Sequence, residues 1–213
     1  MYNHTYGELI SNLPVSQADI DFFAKLPFVH PYMGISSRYQ SVPFVTRYSK
    51  GDLSDKFFNK TINSYDTVPR VLAFMRKSTP MKDPVTSNEG KDNDALQDPE
   101  EPHFVVFCQL ESGVNGYIDT AHGGLLAALL DETLGLCAES YRVFGSDERQ
   151  PLLTAKLEVT YRAPVPTPNV VVIKSWVRRK DGRKWFLEAQ ILDQNGSLKA
   201  EAKSLYIRTR SAL

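Results

Sequence analysis

The residues whose types and spacing suit them to chemistry lie in one stretch: His122-Gly123-Gly124, then Asp131 eight positions after the first glycine. Glycines that open a helix present main-chain N–H groups with no intrahelical acceptor, at the positive end of the helix dipole. Such a place suits a developing oxyanion, and the missing side chains let a ligand approach the backbone. Asp131 follows the apolar run Leu125 to Leu130. A carboxylate there costs several kcal/mol unless it is paired or partly hydrated. In return it can take a proton from water or attack an electrophilic carbon itself. A Gly-x-Ser-x-Gly motif, the signature of another hydrolase type, is absent.

These residues need a scaffold. A helix that is apolar nearly all round must be enclosed by other structure. The strands that can enclose it flank it in sequence. Arg70 to Arg76 is short, apolar and bounded by prolines; its pattern fits helix or strand, and its length favours strand. Phe104 to Leu110 is β-branched and aromatic, and a turn-rich link at 112–116 follows. After the helix, whose extension should end at Gly145-Ser146-Asp147, three long strands are expected in a row. Leu153 to Tyr161 alternates strictly, with Leu153, Ala155, Leu157, Val159 and Tyr161 on one face and Thr154, Lys156, Glu158 and Thr160 on the other. Val170 to Arg179 turns at 180–183 into Trp185 to Leu192, and Asn195-Gly196 is a hairpin signal leading to Leu198–Ile207. An antiparallel sheet curled around one central helix satisfies both surfaces, an α+β architecture.

The chain divides into an N-terminal extension, 1–69, and a sheet-and-helix domain, 70–213. In the extension, residues 1–15 look irregular. A helix should start at the N-cap Ser16, with Asp19 three residues on, and end before Pro27. Residues 28–50 read as a packed loop, and Asp52 or Ser54 is expected to cap a second short helix through Lys60. Residues 78–102, rich in proline and acid, read as a mobile loop within the domain.

Composition removes several classes of function. A net charge of +0 gives no global pull toward nucleic acid. No run approaches the roughly 18 apolar residues needed to cross a bilayer. Cys108 and Cys137 both sit in apolar runs and read as core residues, with too few companions for a zinc site; His4, His30 and His103 show no metal spacing. Residues 1–24 hold no Lys or Arg, unlike a mitochondrial presequence, and no secretory core is present, so the cytosol is the expected location.

The motifs also carry a resemblance. His122-Gly123-Gly124 with Asp131 and Gly135 resembles the signature of the hot-dog-fold acyl-CoA thioesterases of the phenylacetate-thioesterase type. Leu153-Thr154-Ala155-Lys156-Leu157-Glu158-Val159-Thr160-Tyr161-Arg162-Ala163-Pro164-Val165-Pro166 resembles the strand "TA-x-L-x-(I/V)-x-Y-x-x-P-(I/V)-P" of these enzymes. Gly182 to Phe186 resembles a turn of the carboxyl-terminal-modulator-like subgroup. The likeness covers about residues 103–210, and the extension resembles those of eukaryotic members. It implies a hot-dog fold, a homodimer that sometimes doubles to a homotetramer, and hydrolysis of an acyl-CoA thioester to a free acid and coenzyme A. Coenzyme A would enter only as part of the substrate, with no other cofactor and no metal. Asp131 matches the catalytic acid, Gly123 the glycine whose N–H polarises the thioester carbonyl, and Thr154 a hydroxyl beside the attacking water. Gly124 would join the substrate contacts, and His122 would stabilise the helix start rather than act as base. Many bacterial members place an asparagine six residues before the histidine; this chain has Gly116 there, with Asn115 one position off.

Spacing adds an independent constraint. Gly123 and Asp131 are eight residues apart, roughly 12 Å along a helix axis. One carbonyl carbon cannot lie within about 3.5 Å of both in one chain. If both act on one thioester, Asp131 of one subunit must meet Gly123 of another, giving two composite sites per dimer. Lys174, Arg178, Arg179, Lys180, Arg183 and Lys184 crowd one hairpin. They form either a solvated turn or contacts to the phosphates of coenzyme A. Two other functions compete: a non-catalytic hot-dog module that binds an acyl chain or a protein, and hydration of an enoyl thioester. The Asp/His or His/Glu pairs typical of the latter do not recur in that arrangement here.

Overall fold

The computed structural model describes residues 5–77, 101–143 and 150–210. In chain order the extension contributes α1 (Tyr6–Asn12), α2 (Gln17–Phe23) and β1 (Tyr39–Val42). Next come β2 (Val71–Arg76), β3 (Phe104–Leu110), the small hairpin β4 (Asn115–Tyr117) and β5 (Thr120–Ala121), and the long helix α3 (Gly123–Val143). The chain closes with β6 (Leu152–Tyr161), β7 (Asn169–Asp181), β8 (Lys184–Leu192) and β9 (Leu198–Arg208). Apart from β4 and β5, the strands form one sheet in the order β1-β2-β3-β7-β8-β9-β6, and every pairing is antiparallel. The β7–β8 and β8–β9 turns pass through Gly182 and Gly196 at φ 55° and 79°, where a side chain would be strained.

The α3 helix lies across one face of this sheet. Leu125, Leu126, Leu129, Leu130, Leu134 and Leu136 are buried in one core with Val171 and Ile173 of β7, Leu187, Ala189 and Ile191 of β8, and Ala200, Ala202 and Tyr206 of β9. Each buried leucine is worth about 1.5–3 kcal/mol, so packing rather than helix propensity holds α3. The extension covers another side of the helix: Tyr6 of α1 and Phe44, Val45, Phe58 and Ile62 join the same core. The helix is thus enclosed by the sheet and by residues between Tyr6 and Ile62 together. The opposite sheet face carries a second core. There Phe23 and Val29 pack on Leu72, Phe74, Val105 and Phe107, with Tyr32 edge-on to Phe107.

Four expectations need correction. Residues 6–12 are helical rather than irregular, because Thr5 and Glu8 form a reciprocal capping box. The loop expected over 28–50 contains a six-residue 3-10 helix and β1, which satisfies its main chain against β2. The second short helix is a single wide turn, Phe57–Thr61, with i to i+5 character; the Asp52 carboxylate instead accepts from the Ser54 N–H just before it. The alternation of β6 is broken by a bulge between Thr154 and Lys156, with consequences for the site. The α2 helix does start at Ser16, whose hydroxyl accepts from the Asp19 N–H. The acidic loop, apart from Glu101 and Pro102, and the segment Gly145-Ser146-Asp147 lie outside the described residues. Both cysteines are fully buried, and burial pushes each thiol up to about 12. Among the described residues no helix is long and apolar enough to cross a membrane.

Candidate active site

The helix start is held by a side chain. His122 Nδ1 accepts a hydrogen bond from the Gly124 N–H at 2.9 Å, while the His122 carbonyl accepts from Leu125 at 3.0 Å and Leu126 at 3.2 Å. The imidazole therefore does what an N-cap side chain does. The His122 N–H is itself tied to the Val114 carbonyl at 2.8 Å. This leaves the Gly123 N–H without an acceptor among the described residues, and that group is free to meet an incoming oxygen. Gly116 keeps the loop close: a Cβ there would lie 3.0 Å from the His122 Cα and ring. Tyr161, at the end of β6, donates its hydroxyl to the Gly123 carbonyl at 2.7 Å.

Asp131 sits two turns along α3, half-buried, under the far end of the same strand. The Thr154 hydroxyl donates to Asp131 Oδ1 at 2.9 Å. The bulge makes this possible. Thr154 pairs with Tyr206, which faces the helix, yet beyond the bulge Leu157 also packs into the helix-side core. Strict alternation would put Thr154 and Leu157 on opposite faces; one extra residue puts both toward α3. The Tyr206 hydroxyl reaches the same carboxylate, 2.8 Å from Oδ1 and 2.5 Å from the Asp131 main-chain carbonyl. Two hydroxyls thus occupy Oδ1, whereas Oδ2 has no hydrogen-bond partner among the described residues. Burial, then the Asp131 charge, pushes the Tyr206 phenol well above its ordinary range, so it stays a donor.

Sequence reasoning missed Tyr206. It lies 75 positions from Asp131, and its only signal is an inward place in the alternation of β9. Glu132 was also missed. Burial pushes its carboxyl up to about 7, the charges of Asp55 and Asp131 add to this, and Lys50 and the neighbouring Thr46 hydroxyl oppose it. Lys50 and Asp55 are ion-paired at 2.5 Å, so the extension presents both signs of charge to this part of α3.

The remaining candidates scatter. The Asn115 amide oxygen accepts from the Thr167 hydroxyl, which ties the β4 hairpin to the stretch before β7. The hairpin cations do not converge. Arg178 is paired with Glu188 at 2.7 Å and stacks on Trp176; Arg179 stacks on Phe186, 3.9 Å from the ring centroid, beside Asp181. Lys180 lies over Trp185, a residue of the helix-side core, and Arg183 donates to the Arg208 carbonyl. Lys184 is exposed, and burial lowers Lys174 below its ordinary range. A register shift between Val177 and Arg179 and the natural alternation of β7 send neighbouring cations to opposite faces of the sheet.

Residues 119–200 match the thioesterase superfamily model, over the stretch that runs from the β5 strand through α3 into β9. The Mus musculus acyl-coenzyme A thioesterase THEM4 is 37% identical over 98 residues, 45% of this chain and 37% of that protein. The chain therefore aligns with well under half the length of this relative. The verlamelin biosynthesis protein B of a Lecanicillium species is 23% identical over 239 aligned positions, covering 94% of both chains. Among solved structures, the E. coli PaaI protein of the phenylacetic acid degradation operon overlaps 50% of this chain and 72% of that one, with TM-score 0.44 and 16% identity.

Proposed function

We propose that this chain is an acyl-CoA thioesterase. One observation carries the reading: Asp131 Oδ1 is held by two hydroxyls while Oδ2 stays unpartnered on the helix that begins at the unpaired Gly123 N–H. A carboxylate oxygen fixed but uncommitted is what a base or nucleophile requires. As base, Oδ2 takes a proton from water; the water oxygen bonds to the thioester carbon, the C–S bond breaks, and the proton passes on to the departing sulfur. As nucleophile, Oδ2 forms that bond itself and the C–S bond breaks to expel the thiolate; water then opens the mixed anhydride, freeing the acid and Asp131, and the proton released goes to the thiolate. Both routes give a carboxylic acid and the thiol of coenzyme A, which enters as part of the substrate, and neither requires a redox cofactor. The Gly123 N–H would receive the oxyanion.

The site is completed by a second copy. Gly123 and Asp131 remain one helical segment apart, roughly 12 Å. The β6 strand is the last of its sheet, ten residues long, with Leu153 and Tyr161 each 52% exposed. An unpaired edge of this length invites pairing with another chain. A homodimer joined there, singly or doubled to a tetramer, can bring the Asp131 of one subunit to the Gly123 of the other.

The test is thiol release from a panel of acyl-CoAs of increasing chain length, with Asp131→Asn beside wild type. Release by wild type and its loss in the variant are expected. No release from any chain length would overturn the enzyme reading, and undiminished release by Asp131→Asn would overturn the role of the carboxylate.

A further inference from the structure

We infer that Tyr206 is a positioning residue, whose hydroxyl fixes the rotamer of Asp131 so that Oδ2, and not Oδ1, is the oxygen that reacts. The inference rests on the thioesterase reading above. Its basis is a shared contact. The phenol oxygen lies 2.5 Å from the main-chain carbonyl of Asp131 and 2.8 Å from Oδ1 of the same residue. One group that touches both backbone and carboxylate fixes the torsions between them. Thr154 touches only the carboxylate. It is exposed, on the end strand, whereas Tyr206 is 3% exposed on β9, with neighbours on both sides in the sheet. The rigid contact is therefore the tyrosine, and the threonine is the adjustable one.

The ring packs on the helix beside Gly135. Gly135, one turn after Asp131, would carry a Cβ 3.6 Å from the Tyr206 ring and hydroxyl, ordinary contact distance. Burial and the nearby carboxylate keep the phenol protonated through any assay range, so its donation does not vary with pH.

The experiment uses Tyr206→Phe, which keeps the ring and removes the hydroxyl, alone and combined with Asp131→Asn. A hydrogen bond to a charged group is worth about 1.5–3 kcal/mol, so kcat should fall roughly 10- to 100-fold with KM within about twofold. In the Asp131→Asn background the residual release, followed at high enzyme concentration over hours, should not fall further with the same change, because there is no carboxylate left to orient. A merely structural role would lower the rate in both backgrounds. The Asp131 13Cγ NMR resonance, assigned by its disappearance in Asp131→Asn, should shift or broaden in Tyr206→Phe. A kcat within twofold of wild type, or an equal loss in both backgrounds, overturns the inference. If wild type hydrolyses no acyl-CoA, that failure falls on the thioesterase reading alone. The anchoring then stands if the 13Cγ signal moves and fails if it does not.

Discussion

The hydroxyl of Tyr161 donates to the main-chain carbonyl of Gly123 at 2.7 Å, and its ring covers the place where a Cβ of residue 123 would sit. One strand therefore serves both marked points of α3. Its first residues bring Thr154 to Asp131, and its last brings Tyr161 to the helix start. Because β6 is also the end strand of the sheet, whatever pairs with its free edge lies beside both points.

A complementation experiment follows from the distance between these points. Asp131→Asn and Gly123→Ala are each expected to be inactive as homodimers. Co-expressed in equal amounts, half of the dimers are mixed, and each mixed dimer holds one intact site of two, so about a quarter of wild-type thiol release should return. Release no higher than the sum of the two separate variants would show that one chain holds the whole site.

Two glycines should respond to alanine in opposite ways. A Cβ at Gly123 would lie 3.3 Å from Tyr161, an exposed residue on an end strand that can move by a few tenths of an ångström. Alanine also gains about 0.5–1 kcal/mol over glycine in a helix. Gly123→Ala should keep its thermal midpoint while thiol release falls at least roughly tenfold, since the methyl group displaces the Tyr161 ring beside the N–H that receives the oxyanion. A Cβ at Gly113 would lie 2.4 Å from the main-chain oxygen of Asp66, which also accepts the Gly113 N–H at 2.7 Å. Backbone must separate there, and Gly113→Ala should cost on the order of 2 kcal/mol in urea unfolding.

His122 separates a cap from a base. Its Nδ1 accepts the Gly124 N–H, so His122→Ala should cost about 1 kcal/mol of stability. Asparagine caps helices as well as any residue. His122→Asn should recover most of that stability and keep thiol release within a few-fold of wild type. If release collapses in His122→Asn while the fold is retained, the imidazole takes part in the chemistry.

Glu132 makes stability depend on pH. Burial holds its carboxyl at about 7 in the folded chain, against 4.5 for the free group. Between these values the folded state binds more protons than the unfolded state, so stability falls as pH rises through this window. Glu132→Gln carries no such group. It should equal wild type at pH 4 and exceed it at pH 8 by on the order of 2 kcal/mol in urea unfolding. A stability difference that is the same at both pH values would refute the assignment.

His103 titrates with the opposite sign. Burial first, then the charges of Arg76 and Arg178, lower its imidazole from 6.5 to about 4, and Nδ1 accepts the Val177 N–H at 3.2 Å. Below about 6.5 the unfolded chain takes up the proton first, so this residue's contribution to stability is lost as pH falls toward 4. His103→Gln should flatten the acid side of the stability profile, and an unchanged acid limb would count against it.

Much of this was legible in the sequence because it depends on periodicity and on residue type. The apolar run from Leu125 to Leu130 fixed a buried helix, the alternation of β9 fixed its inward face, and Asn195-Gly196 fixed a turn. A carboxylate in an apolar helix marked the candidate site without any partner in view. Tertiary structure decided what touches Asp131. One bulge turned Thr154 toward α3, which no two-residue period can reveal, and Tyr206 arrived from 75 positions away through sheet order alone. It also decided where the hairpin cations, adjacent in sequence, are placed: a strand sends neighbours to opposite faces, and Glu188 and three aromatic rings receive them. Local sequence sets backbone conformation and which face is apolar; contacts between distant residues depend on strand order and register, which only the folded chain establishes.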